Sequence, residues 1–184
     1  MNDKPEPASS AVIPVTVITG FLGSGKTTIL SRLLHDQRFA HTAVIINEFG
    51  EIGLDHELLE QSRDELVLLS NGCVCCTVRG DLISTLGKIY EERGKFGIDR
   101  VVLETTGLAD PAPILHTLMA DPLIISRFRL EYLVTTIDAF NGINTLNAHP
   151  VALKQAAIAD QIVLTKLDLV DDITLAALKE RLCS

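Results

Sequence analysis

Between the apolar run IPVTVIT and the helix-like stretch TTILSRLL lies GFLGSGKTT, which fits G-x-x-x-x-G-K-[ST] with Gly20, Gly25, Lys26 and Thr27. No other stretch restricts the fold as much, because this pattern works only where a strand ends in a tight turn that opens directly into a helix. Gly20, Gly23 and Gly25 let backbone N–H groups turn inward, and the helix N-terminus adds the positive end of its dipole, so the loop becomes a cradle for phosphate oxygens. Lys26 then reaches the β- and γ-phosphates, the Thr27 hydroxyl takes one Mg²⁺ position, and Ser24 and Thr28 complete the loop and the helix start. The plainer alternative is a glycine-rich strand-to-helix turn. A preceding strand, a following helix and the Lys-Thr pair argue against it.

The rest of the chain repeats the same alternation. Short apolar, β-branched runs, IPVTVITG, TAVIINEFG, ELVLLSNG, RVVLETTG, EYLVTTIDAF and QIVLTKLDLV, read as strands, with helical stretches such as KTTILSRLLHD, RGDLISTLGKIYEERG and PAPILHTLMAD between them. The strands are continuous apolar runs, the pattern of strands covered on both faces, so the expected fold is α/β with a doubly wound, mostly parallel sheet. Ligands of such sheets bind beyond the carboxyl ends of the strands, where the motifs of this chain fall. Residues 1–12, polar and Pro-containing, are expected to form a flexible tail and residues 13–184 one domain. The chain stops inside the helical stretch ITLAALKERLCS, which points to a longer parent protein.

Composition narrows the function classes. The formal net charge is -8 with scattered Lys and Arg, so no basic stripe is available to neutralise a nucleic-acid backbone. No apolar run approaches the ~18 residues of a membrane span, and no basic-then-hydrophobic leader opens the chain, so a cytoplasmic protein with no membrane partner is expected.

Two further motifs bear on the nucleotide. In QIVLTKLDLV, Thr165, Lys166 and Asp168 are similar to the guanine-reading N-K-x-D pattern; a carboxylate at Asp168 accepts paired hydrogen bonds from guanine N1–H and its exocyclic amine, a pair adenine lacks. Thr165 stands where Asn is usual. Since Asn helps tie this loop to the phosphate loop, weaker base binding is expected. The alternative is that Asp168 or Asp171 merely opens the following helix. Strand RVVLETTG ends in Glu104 and Gly107, where Glu104 would hold Mg²⁺ through water and the Gly107 N–H would sense the γ-phosphate. Asp138, ending EYLVTTIDAF, is the second candidate acid; the turn beside Glu104 favours Glu104 and leaves Asp138 as a cap. Asn47, Glu48, Glu51 and Asp55 in NEFGEIGLD are candidates to orient water or Mg²⁺.

The cluster NGCVCC places Cys73, Cys75 and Cys76 within four residues of a chain whose remaining cysteine is Cys183. Three thiolates from one short turn suit a soft ion, Zn²⁺, Cu⁺ or an Fe–S centre, with one position left for a further ligand or a receiving protein. Glu48, His56 and His149 are the candidate fourth ligands. A buried apolar loop would rarely use three cysteines, and a vicinal disulfide is uncommon in a reducing compartment. Cys183 is expected to have no role.

Taken in order, GFLGSGKTT, NEFGEIGLD, SNGCVCC, ETTGLADP and QAAIADQIVLTKLDL resemble the CobW-like metallochaperone GTPases, relatives of the GTPases that mature nickel enzymes, over nearly everything from Ile13 to Val170. The resemblance implies a P-loop NTPase domain of the SIMIBI type that uses GTP and carries a metal, usually zinc, at C-x-C-C. It further implies hand-over of the ion to a client metalloprotein, leaves room for a homo-oligomer, and places a C-terminal domain beyond this chain. Cobalt (Co²⁺) handling for cobalamin synthesis, or a GTP-binding metal sensor or storage module without useful turnover, are the alternatives. A P-loop small-molecule kinase is opposed by Asp168.

Overall fold

In the computed structural model the described residues are 12–47, 67–68, 74–77 and 82–183. Chain order gives β1 (Ile13–Thr19), α1 (Lys26–Leu34), β2 (Thr42–Asn47), β3 (Val67–Leu68), β4 (Val74–Thr77), α2 (Leu82–Phe96) and β5 (Arg100–Thr105). There follow α3 (Ala112–Ala120), α4 (Pro122–Ile125), β6 (Phe128–Asp138), α5 (Gly142–Ala148), α6 (Pro150–Ala157), β7 (Gln161–Thr165) and α7 (Asp172–Cys183). The sheet order is β3-β4-β2-β5-β1-β6-β7, and every pairing is parallel except the short antiparallel β3–β4 pair. The expected α/β sheet is therefore present.

One departure concerns the cysteines. Cys75 and Cys76 were expected in a short turn, but VCCT forms β4, whose backbone pairs with β2 in the register Cys75↔Val44 and Cys76↔Ile45. The physical reason is that VCCT is a run of small β-branched and apolar residues beside the open edge of β2, and pairing there satisfies backbone groups that a turn would leave to water.

Burial follows the alternation of side chains across the pleat. On β2, Ala43 and Ile45 join one cluster with Leu86 and Ile89 of α2, Leu118 of α3 and Phe128 of β6, while Val44 and Ile46 join another with Leu30 and Leu34 of α1. The sheet is thus covered on both faces around β2, β5 and β1. A third cluster gathers Ile137, Leu146, Ala152 and Leu178 beneath α5, α6 and α7. β1 lies between β5 and β6, so the chain's winding reverses there and the loops after β1 and β5 meet in one crevice. No helix among the described residues is long and apolar enough to cross a membrane.

Leu30 is fully buried and anchors the helix that carries the phosphate loop. Leu30→Ala is expected to cost about 2–5 kcal/mol of unfolding free energy by chemical denaturation, because a cavity is left under α1, whereas exposed Leu123→Ala should change it by under about 0.5 kcal/mol.

Candidate functional site

The phosphate loop runs from the end of β1 into α1, whose N-cap, Gly25, is left-handed at φ 89°. Gly20 has φ 141°, and a Cβ there would lie 2.3 Å from Thr136 Oγ1 and 2.4 Å from the Thr136 carbonyl oxygen, so only glycine fits against β6. Lys26 is buried and its Nζ donates to the carbonyls of Gly20 at 2.9 Å and Phe21 at 3.3 Å, curling over the loop it belongs to. Ser24 is buried; Gly23 and Thr28 are exposed.

At the start of α1 the Thr27 hydroxyl donates to Glu104 Oε1 at 3.0 Å. Glu104 is 3% exposed, a carboxylate nearly withdrawn from water at the end of β5. A hydroxyl and a carboxylate at a phosphate cradle form the hard-oxygen donor set that suits Mg²⁺. Gly107 is buried in the turn that follows, and a Cβ there would lie 2.8 Å from the Leu22 backbone nitrogen, so this turn packs directly on the phosphate loop.

The competing acid, Asp138, is committed elsewhere. Its carboxylate accepts from the backbone N–H groups of Phe140 (2.8 Å) and Asn141 (3.3 Å) and from the Asn141 side chain, and it pairs with Lys166 Nζ at 2.7 Å. Burial is the largest single influence and pushes its pKa up, but the Lys166 ammonium, the Asn141 amide and the two backbone N–H groups together hold it below the usual carboxylate value. Asp138 thus caps the entry to α5 and anchors the lysine of the TKLD segment.

In that segment Thr165 is tied to the phosphate loop. Its Oγ1 donates to the Ser24 carbonyl at 2.8 Å, making the tie to the phosphate loop for which asparagine is the usual residue. Lys166 takes a left-handed backbone, φ 55°, and Asp168 is exposed on the short 3-10 turn Leu167–Leu169. The cap of α7 is Asp171, which accepts from Thr174 N–H at 2.8 Å, so Asp168 is not the residue that opens that helix.

Several contacts of the site are announced by no sequence motif. Ser24 Oγ and Thr136 Oγ1 are 2.6 Å apart, the Thr105 hydroxyl donates to Thr19 Oγ1 at 2.8 Å, and Thr136 Oγ1 reaches the Thr19 carbonyl at 3.3 Å. These buried hydroxyls link β5, β1, β6 and the phosphate loop. Threonine in a strand is unremarkable, and Ser24 and Thr136 are 112 residues apart, so no local pattern reveals the pair. Beside the loop lies a cavity of about 340 Å³, lined by Phe21–Ser24, the end of β6, and Asn141, Asn144, His149 and Gln155 among others. Lys26, Thr27 and Glu104 are not in its wall, so it adjoins the phosphate cradle without being part of it.

Of the metal candidates, Cys73, Glu48 and His56 lie outside the described residues, as do Glu51 and Asp55. Cys75 and Cys76 are placed by their strand alone. Asn47 is placed likewise, at the end of β2. Among the described residues no three His, Cys, Asp or Glu side chains converge. His149 stacks on Phe21 at 4.4 Å between centroids, beside the loop after β1, and β4 is three positions from β1 in the sheet. The fold therefore does not bring His149 to the cysteine strand, because three strand spacings amount to about 14 Å.

Residues 14–184 match the family model described as CobW/HypB/UreG, nucleotide-binding domain. The zinc chaperone YjiA of Escherichia coli is 38% identical over 158 residues, 85% of this chain and 50% of the relative. The zinc-regulated GTPase metalloprotein activator 1 of Schizosaccharomyces pombe is 38% identical over 175 residues, 91% of this chain and 42% of the relative. The crystal structure of Zn(II)-bound YjiA GTPase from E. coli superposes with a TM-score of 0.76 at 35% identity, covering 94% of this chain and 54% of that one. A zinc-bound triple mutant of YjiA, with one glutamate and two cysteines changed to alanine, superposes at 0.78. This chain spans about half the length of the curated relatives it matches.

Two outcomes test the site geometry. Thr165→Val keeps the shape but removes the donor to Ser24, and should lower unfolding free energy by about 1–3 kcal/mol in denaturant titration, since a buried carbonyl loses its partner. The Asp138–Lys166 tie should be insensitive to pH through the neutral range. Because the folded pKa of Asp138 lies below its unfolded value, its stabilising contribution is complete above the ordinary carboxylate range and disappears as pH falls through the folded value. Asp138→Asn should flatten that acid limb of the stability profile.

Proposed function

The chain belongs to the CobW/HypB/UreG nucleotide-binding domain family, and on that premise we propose that it is the nucleotide-hydrolysing portion of a GTP-dependent zinc chaperone. The observation that carries the reading is the junction at the start of α1, where Thr27 of the phosphate loop meets buried Glu104 while Ser24 of the same loop is tied to Thr165 of the TKLD segment. Phosphate chemistry and base recognition are thereby referred to one rigid loop.

In this reading Lys26 exchanges the carbonyls of Gly20 and Phe21 for β- and γ-phosphate oxygens, and the helix N-terminus supplies backbone donors to the same charge. Asp168 reads guanine by accepting two parallel hydrogen bonds, while Lys166 ties the loop that carries Asp168 to Asp138 at the end of β6 and Thr165 ties it to the phosphate loop. Thr27 and Glu104 would hold Mg²⁺, which when bound neutralises charge on the β- and γ-phosphates. Gly107, packed on Leu22, would offer its N–H to the γ-phosphate and so report its loss on hydrolysis.

Zinc enters as cargo, on thiolates of Cys73, Cys75 and Cys76. The support lies in the names of the relatives, zinc chaperone and zinc-regulated GTPase metalloprotein activator, and in the adjacency of strands. β4, which carries Cys75 and Cys76, pairs with β2, and β2 pairs with β5, the strand of Glu104. A change at the γ-phosphate turn thus has a two-strand route to the cysteines. Metal and nucleotide that prefer different arrangements of these strand ends must change each other's affinity reciprocally.

Calorimetry should show Mg²⁺-dependent binding of GTP and GDP with at least about tenfold preference over ATP, and Lys26→Ala should remove it. Equal affinity for GTP and ATP would refute the base assignment. Glu104→Gln should slow hydrolysis by about 100-fold while changing nucleotide affinity far less, because the lost charge acts chiefly in the transition state. For the cargo, competitive zinc titration of the full chain in its GTP and GDP states should differ by about 5-fold or more and lose this difference in the Cys75→Ser/Cys76→Ser double variant. Identical affinities in the two states would leave a GTPase that carries zinc without moving it.

A further inference from the structure

The turn at residues 106–110, between β5 and α3, is held by two consecutive residues of α6. Gln155 is fully buried, and its Nε2 donates to the carbonyls of both Gly107 (3.3 Å) and Ala109 (3.1 Å). Its neighbour Lys154 pairs with Asp110 at the end of the same turn. The Gln155 backbone carbonyl in turn accepts from the buried Thr135 hydroxyl of β6 at 2.7 Å, so the amide is mounted on the central sheet.

An amide nitrogen has two hydrogens, and here each meets a carbonyl. The reverse orientation would set the amide oxygen against two carbonyl oxygens, so the chemistry fixes the assignment. The consequence is that Gln155 Oε1 is buried with no hydrogen-bond partner among the described residues. Burying an acceptor unpaired is costly. Leu or Met at this position would leave the Gly107 and Ala109 carbonyls without these donors, so the glutamine accepts one orphaned oxygen and keeps the two carbonyls in place. Gly107 also lies against the Leu22 backbone with no room for a Cβ. Gly107 is therefore held by both the phosphate loop and Gln155.

We infer that Gln155 is a positioning residue for the γ-phosphate: it sets the Gly107 peptide, with Lys154–Asp110 as an outer strut, in the arrangement that recognises a nucleoside triphosphate, and it makes α6 the element that the nucleotide state pulls on. This rests on the reading of Gly107 given above. GDP has no γ-phosphate, so the clamp is felt only by the triphosphate.

The test is titration of the full chain with GDP and with a slowly hydrolysed GTP analogue, for wild type, Gln155→Met, Asp110→Asn and Gly107→Ala. Gln155→Met should weaken the analogue about tenfold and leave GDP within about twofold, with kcat falling more than KM rises. Asp110→Asn, at an exposed position where folding is not at stake, should shift the same ratio in the same direction by a smaller factor. Gln155→Met weakening GDP and analogue equally, or neither, would overturn the inference, and if that variant does not fold, an unchanged ratio in Asp110→Asn overturns it instead. Gly107→Ala separates the premise: if it lowers the analogue selectively while the α6 variants do not, Gly107 senses the γ-phosphate and only the positioning role falls. No selectivity in any variant removes both.

Discussion

The arrangement depends on one close approach. Gly20 brings the turn after β1 so near to β6 that a Cβ would overlap Thr136, and this proximity lets Ser24 Oγ reach Thr136 at 2.6 Å. From that contact the rest follows. A seated Ser24 presents its carbonyl to Thr165, which brings β7's loop to the phosphate loop, and α1 then starts where Thr27 can meet Glu104. A buried hydroxyl pair of this kind contributes only about 1 kcal/mol net, but leaving either member unpaired costs more. The contact therefore specifies position more than it adds stability.

Stability comes from the two covered faces of the sheet. The alternate residues of β2 and β5 enter opposite cores, so neither strand can slip by one residue without exchanging its faces. Because register is secured by apolar packing, the strand ends are free to carry polar chemistry. Glu104, Thr19, Thr105 and Thr136 are buried polar residues at those ends, and each has its hydrogen bond there. Ion pairs elsewhere, such as Arg38–Asp36, are exposed and add little.

The same geometry gives the site a mechanical logic. The turn at Gly107 touches the phosphate loop through Leu22 and α6 through Gln155, while β5, which precedes it, pairs with β2 and so with the cysteine strand. On the proposed reading of Gly107, a turn joined to both is suited to convert the presence of one phosphate into displacement of two elements. Its contacts are two long hydrogen bonds and an exposed ion pair, weak enough to be remade.

What the amino-acid sequence determined alone was whatever is encoded locally. Apolar runs alternating with helical stretches gave the parallel sheet, and GFLGSGKTT fixed a phosphate loop, since its glycines and Lys-Thr pair act over eight residues on backbone geometry. The order of motifs from Ile13 to Val170 also pointed to the family. Tertiary structure decided which groups meet. Asp138 and Glu104 both end apolar strands, and the turn beside Glu104 favoured it only by pattern; β5's place beside β1 gives Glu104 to Thr27, whereas Asp138 turns to Lys166 and the start of α5. Thr165 read as a defect in its motif and proves to make the tie, because a hydroxyl suffices when the Ser24 carbonyl is within 2.8 Å. The cysteines read as a turn, yet Cys75 and Cys76 lie on a strand, since the open edge of β2 is a partner no local window contains. Gln155 opens the QAAIADQIVLTKLDL segment, but nothing local shows what it holds, its partners being 46 and 48 residues away. Local patterns record what a segment can become, but a hydrogen bond across the chain depends on two segments being brought together, and only the packed sheet supplies that.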